Sequence, residues 1–218
     1  MMAKRPCVIL VADSNMAAAF RGYFSRDRWD LSLGCAQFEI NTEIGGDLIV
    51  DEGGNDPGVF TKGHELLRPF QCSHERALVV LDCEWDGSPG RAVIVERITE
   101  RLVESGWPEY AVKVIAIEPE LENWLWQDKP QVAEALRYRG PVNLRQHLAD
   151  HGWWPRELAK PPHPKEAAEW VLRQSGQPRS SAIYQRLASR VSVLGCADAA
   201  FLDMCSTLNL WFPVGAST

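Results

Sequence analysis

The chain has 218 residues, a net charge of −6, 45% hydrophobic and 24% charged residues, enough for one large domain or a domain with an appendage. The acidic balance excludes a broadly basic surface that coats DNA, and no apolar run approaches the ~18 residues of a membrane span. A nuclease stays open, because metal ions can supply positive charge locally.

The basic start Met1–Arg5 leads into Cys7-Val-Ile-Leu-Val-Ala12, a first strand too short for the apolar core of a signal peptide. Six cysteines without a CxxC pair and without an export signal predict a cytoplasmic protein with reduced thiols. Asp13-Ser14-Asn15 offers an N-cap for a helix reaching Phe24. Leu31 to Ile40 alternates weakly and reads as a second strand. Asn41 to Lys62, rich in Gly, Asp and Asn, reads as a long hairpin or surface loop holding at most the short strand Leu48-Ile-Val50. Its charges Asp47, Asp51, Glu52 and Asp56 read as solvated surface, with a metal role as the alternative.

The run Ala77-Leu-Val-Val-Leu81 stops at Asp82-Cys-Glu84-Trp-Asp86-Gly87, and Ala111-Val-Lys-Val-Ile-Ala-Ile117 stops at Glu118-Pro-Glu120-Leu-Glu122. Arg91 to Glu104 between them places Val93, Ile94, Ile98, Leu102 and Val103 on one helical face. Two apolar β runs about thirty residues apart around a helix make a parallel βαβ unit. Ligands in such sheets bind outside the carboxyl ends of the strands, where both acidic clusters lie.

A helix starts near Leu121, and helices are expected at Gln131–Arg139, between Gly140-Pro141 and Trp153-Trp-Pro155, and at Lys165–Ser175, Ser180–Ser189 and Asp198–Leu208. The predicted organisation is an α/β domain over 1–128 and a helical C-terminal region over 129–218 packed on it. Seven of the nine tryptophans follow Glu104. They suit a core or a subunit interface, which allows a homo-oligomer; base stacking is the alternative.

No P-loop, GxGxxG or GxSxG motif is present. His147 and His151 lack an intervening HExxH glutamate, so a zinc site is not expected. What remains is carboxylates: Asp13 after strand one, Asp82, Glu84 and Asp86 after a central strand, and Glu118, Glu120 and Glu122 after the next. Hard divalent cations take oxygen ligands, and acids this dense repel unless protonated or metal-bound. The competing readings are structural. Asp86-Gly87 is a turn, Glu84 is surface, and Glu120 and Glu122 favour a helix N-terminus.

An acid after strand one, the pair in Leu-Val-Val-Leu-Asp82-Cys-Glu84, and Glu122-Asn-Trp-Leu-Trp126 opening a helix resemble the Toprim fold. They are most similar to Toprim-like proteins of prokaryotic defence loci, including RloB-like and OLD-associated nucleases and subunits of methylation-associated systems. Pro164-Lys165, Ile183-Tyr184, Leu187-Ala188 and Ala200-Phe201 are similar to the tail of small members. The resemblance implies a mostly parallel sheet flanked by helices and Mg²⁺- or Mn²⁺-dependent phosphodiester cleavage. Asp13 would be the acid/base, and Asp82, Glu84 and Glu122 would hold metal, joined by Asp86 and Glu118. Two departures stand out: the family's strand-one glutamate is Asp13 here, and its Asp-x-Asp is Asp82-x-Glu84.

Two functions follow. One is a nuclease component of an antiphage defence system, with nucleic acid and other defence proteins as partners. The other is a catalytically degenerate adaptor that docks partner proteins through its Trp-rich helical surface. Arg91, near the acidic loop, reads either as a phosphate contact or as a solvated helix residue.

Overall fold

The computed structural model describes residues 3–215. Four strands, β1 (Arg5–Val11), β2 (Leu48–Val50), β3 (His74–Asp82) and β4 (Val112–Ile117), form one sheet in the order β2-β1-β3-β4. Every pairing is parallel. The register sets Val11 beside both Val50 and Val80, and Asp82 beside Ile117. The carboxyl ends therefore lie along one edge of the molecule.

Alternation along the strands fills two cores. Cys7, Ile9 and Val11 join Leu78, Val80, Ile115 and Ile117 on one face. Val8, Leu10 and Ala12 join Ala77, Val79, Leu81, Val114 and Ala116 on the other. Burial on both faces is why the strands read as continuous apolar runs rather than as alternating ones.

The second face is covered by α3 (Asp56–Leu67) and α4 (Arg91–Glu104), through Val59, Leu67, Ile94, Ile98 and Leu102. The first face is covered by α1 (Ser14–Phe24) and the helices that follow β4. These are α5 (Glu122–Leu125), α6 (Pro130–Ala135), α7 (Leu144–Asp150), α8 (Pro164–Gln174), α9 (Ser181–Arg190) and α10 (Ala199–Trp211). One hydrophobic cluster runs from Cys7 to Leu208 and includes Phe20, Trp124, Trp154, Leu172 and Phe201. Trp107, Trp124, Trp126 and Trp154 are fully enclosed, which is the core role expected of most of the tryptophans.

Two expectations are corrected. Leu31 to Ile40 is not a strand: α2 (Trp29–Leu33) ends at Gly34, whose φ of 71° is left-handed, and the chain continues irregularly. Aromatic packing, not a backbone ladder, holds this stretch, with Phe38 against Trp29 at 5.0 Å and stacked on Phe212 at 4.0 Å. Nor is Asn41 to Lys62 mainly loop. β2 lies where Leu48-Ile-Val50 suggested, but α3 starts at Asp56, capped by Asn55 accepting from Gly58 N at 2.7 Å, with Pro57 in its first turn.

Asp47 and Asp51 are likewise buried rather than solvated. Asp47 accepts from Asn41 N and Arg5 Nη2, both at 2.6 Å, and lies 3.0 Å from His74 Nε2. It ties the amino ends of β1, β2 and β3 together, a role invisible without the sheet order.

Candidate functional site

The chain runs from β1 outward to β2 and then crosses back to β3 on the other side of β1. The gap between β1 and β3 is therefore the topological switch point, where open parallel sheets leave a crevice at their carboxyl ends. Asp13 follows β1 and Asp82 ends β3, so two of the sequence-selected acids flank that crevice.

Each is anchored by backbone. Asp13 Oδ1 caps α1 by accepting from Met16 N at 2.7 Å. Asp82 Oδ1 accepts from Leu121 N at 2.8 Å, binding the end of β3 to the turn after β4. The second oxygen of each accepts no hydrogen bond among the described residues. A third acid comes from the segment expected to be loop: Asp56, the first residue of α3, accepts the backbone N–H of Asp82 at 2.7 Å.

Burial, and then the charges of Asp56, Glu122, Glu120 and Asp13, hold the Asp82 carboxyl well above the usual range. Asp56 is pushed up by its own burial, with Asp13 adding to the rise; the Asp82 N–H and Lys165 oppose it. Glu120 is pushed up to about 7, chiefly by burial and then by Glu122. Lys165, at the start of α8, donates its backbone N–H to Glu120 Oε1 at 2.9 Å, with its ammonium 3.9 Å from Oε2. Burial and mutual repulsion therefore push these carboxyls toward their protonated forms.

The turn that carries Glu120 and Glu122 is clamped by the C-terminal helices. Asp198, which caps α10, accepts from Trp124 Nε1 at 2.8 Å and from Asn123 Nδ2 at 2.5 Å. Lys160 donates to the carbonyls of Asn123 and Trp126, and Trp126 Nε1 donates to Pro164 O at 2.7 Å. The peptide between Glu118 and Pro119 is cis.

Glu122 is enclosed and already partnered. Arg179 Nη2 donates to its Oε1 at 3.1 Å, and the Tyr184 hydroxyl donates to the same oxygen. Arg179 Nε in turn donates to Tyr184 at 2.6 Å. The knot partners the carboxylate with a guanidinium that also donates to Glu169 Oε1 at 3.3 Å.

The remaining sequence-selected acids stand apart. β3 ends at Asp82, so Glu84 does not continue a strand face beside it; Glu84 and Asp86 are both exposed. Neither ranks among the charges that act most strongly on Asp82. Glu118 is exposed at the end of β4 and lies close enough to Cys83 to add to the burial that pushes this thiol up to about 12. Arg91 opens α4 and opposes that rise.

Among the described residues, no three His, Cys, Asp or Glu side chains are assembled as a coordination sphere. The donor type, though not the assembly, suits a hard cation at Asp13, Asp56 and Asp82. All three are oxygen donors, they repel one another, and none is ion-paired among the described residues. It does not fit at Glu122, whose charge Arg179 already offsets.

Sequence reasoning weighed a metal role for Asp56 only as the alternative to solvated surface, and it missed Lys165, Arg179 and Tyr184. Only Asp56 carried a local signal, the Asn-Asp-Pro start of a helix. No protein-family model matches this chain, and no curated protein and no solved structure matches it either.

Proposed function

We propose that the strand-end acids form a divalent-cation site for Toprim-like phosphodiester cleavage, in a component of a prokaryotic antiphage defence system. The defence setting and the choice of nucleic acid as substrate rest on the sequence resemblance. The site is argued from one observation: Asp82, at the switch point of the sheet, is buried and feels the charges of Asp56, Glu122, Glu120 and Asp13, which raise its carboxyl well above the usual range. Such a cluster suits Mg²⁺ or Mn²⁺, which relieves the repulsion and supplies Lewis acidity at a phosphate oxygen.

Asp82, Asp13 and Asp56 are the ligands in this reading, and Arg179 with Tyr184 fixes Glu122 as the wall behind them. Glu120, titrating at about 7, is matched to exchange a proton near neutrality, as a general acid or base must. Lys165 beside it offers the cluster's cationic contact for a phosphate.

The test is calorimetric titration of Mn²⁺ and Mg²⁺ into wild type and Asp82→Ala, followed by cleavage assays on single- and double-stranded DNA and RNA. Metal binding abolished by the substitution supports the site. Wild type that binds neither ion at millimolar concentration overturns it.

A second reading, the non-catalytic adaptor, is favoured by a specific observation. Glu122 is locked by Arg179, Asp13 caps α1, and Glu84 lies in solvent, so three of the four catalytic positions have structural duties or no neighbours. Co-purification with partner proteins, without metal binding, would establish it.

A further inference from the structure

The opposite, amino-terminal end of the sheet carries a second cleft, independent of the strand-end acids. It measures about 320 Å³ and is walled by Lys4, Gln71, Glu75, Arg76, Trp107 and Tyr110. Lys4 precedes β1, Arg76 lies within β3, and Trp107 and Tyr110 belong to the turn before β4. The parallel register brings these residues together, with Cys7 paired to Arg76 and Ala77 to Val112.

The chemistry of its walls is one-sided. The Arg76 guanidinium lies 5.4 Å from the Tyr110 ring and 6.0 Å from the Trp211 ring. It makes no salt bridge among the described residues. Aromatic faces hold a guanidinium while leaving its in-plane N–H groups free for a bidentate acceptor. Lys4 lines the cleft and donates to Gln71 O at 2.7 Å.

Two donors buried behind the wall, Arg76 Nε and Trp107 Nε1, find no acceptor among the described residues. Trp107 itself is only 3% exposed. Both are shut off from the cleft, so only the outer N–H groups of the Arg76 guanidinium are left to meet a ligand. His74 adds no free donor, since its ring nitrogens meet Ser73 Oγ at 2.9 Å and Asp47 Oδ1 at 3.0 Å. Glu75 is the one carboxylate of the lining and is exposed, so two cations face one acid. Tyr110, 75% exposed at the mouth, offers a planar face to an incoming ring.

We infer that this cleft binds a phosphate monoester carrying a planar ring, the chemistry shared by a free nucleoside monophosphate and a 5′-phosphorylated strand end. The phosphate sits against the guanidinium of Arg76 and the ammonium of Lys4, and the ring stacks on Tyr110. The dimensions agree, since small-molecule sites start at about 300 Å³.

The full chain is titrated with AMP, inorganic phosphate, adenosine and a 5′-phosphorylated oligonucleotide, read by calorimetry and by tryptophan fluorescence. Saturable binding of AMP, weaker binding of phosphate and none of adenosine are expected. Arg76→Gln weakens AMP binding at least ~10-fold, as loss of a charged hydrogen-bonding group does. Lys4→Gln, on an exposed side chain that the fold does not need, weakens it several-fold with an unchanged circular dichroism spectrum. Asp82→Asn binds AMP like wild type, which separates this cleft from the metal site. Tighter binding of the oligonucleotide than of AMP identifies the strand end as the source, and equal or weaker binding identifies the free nucleotide. Adenosine binding as well as AMP, no saturation by AMP or the oligonucleotide, or affinity unmoved by both Arg76→Gln and Lys4→Gln overturns the inference.

Discussion

Asp56 accepts the backbone N–H of Asp82 at 2.7 Å, so the carboxylate that opens α3 is fixed beside the carboxylate that ends β3. The helix start thus brings a like charge to an acid already held well above its usual range by burial. Acids forced together in this way cost the fold stability, and the cost is expressed through pH.

Glu120 makes the pH prediction concrete. Its folded value of about 7 lies above the ordinary 4.5, so between those values the native state holds a proton that the unfolded chain has released. Stability therefore falls as pH rises through this window and levels off above it. Glu120→Gln flattens the slope, with a difference on the order of 3 kcal/mol between about pH 4.5 and pH 8. Urea unfolding at a series of pH values measures it. A wild type equally stable across the window refutes the perturbed carboxyl.

Asp82→Asn gives the complementary result. Asparagine keeps an oxygen for the Leu121 N–H and cannot take on the charge that burial, Asp56, Glu122, Glu120 and Asp13 oppose. The substitution is expected to raise stability at about pH 8 by roughly 0.5–2 kcal/mol while removing metal binding, as when a strained functional site is relieved. Adding Mg²⁺ should stabilise wild type and leave the variant unchanged. Urea midpoints with and without the metal decide it; a destabilised variant would make Asp82 a purely structural anchor.

The Glu122 knot behaves in the opposite way. Arg179→Met leaves an enclosed carboxylate with only the Tyr184 hydroxyl, and breaking a buried pair by removing one partner is expensive. Since Arg179 is about one-third exposed at its side chain, a loss of about 2–3 kcal/mol is expected, below the full buried-pair cost. Glu122→Gln, which can still accept from both donors, should cost less. Thermal melts of the two variants rank them, and equal melting temperatures would show that the pair is solvated.

Which of these features the sequence could reveal follows from how local their causes are. Ala77–Leu81 and Ala111–Ile117 are legible as strands because both faces are buried, and α4 over Arg91–Glu104 because one face is. Asp13 and Asp82 are legible as strand-end acids for the same reason. Asp56 reads as solvated surface, with a metal role as the alternative, because of the glycines and acids around it, although Asn55 and Pro57 mark a helix start. Arg179 and Tyr184 lie 57 and 62 residues from Glu122, and nothing local could announce them. Asp47 shows the limit from the other side: its charge reads as surface until the sheet order brings Arg5 and His74 to it.

The contact of α1 with α9 gives the sharpest packing test. A Cβ on Gly22 would lie 2.5 Å from Gln185 O, 2.8 Å from Ala188 Cβ and 3.0 Å from Ser189 N, inside the backbone of α9. Gly22→Ala therefore pushes the two helices apart despite alanine's better helix propensity, at a cost of about 1–3 kcal/mol. Gly63 in α3 is the matched control. There a Cβ meets Leu10 Cδ2 at 3.4 Å and Val59 Cγ1 at 3.6 Å, ordinary contacts, so Gly63→Ala should be stabilising by up to about 1 kcal/mol. Opposite shifts of the urea midpoint are expected from the same chemical change. If both substitutions stabilise, helix propensity outweighs the contact, and α1 and α9 are not packed as closely as the fold requires.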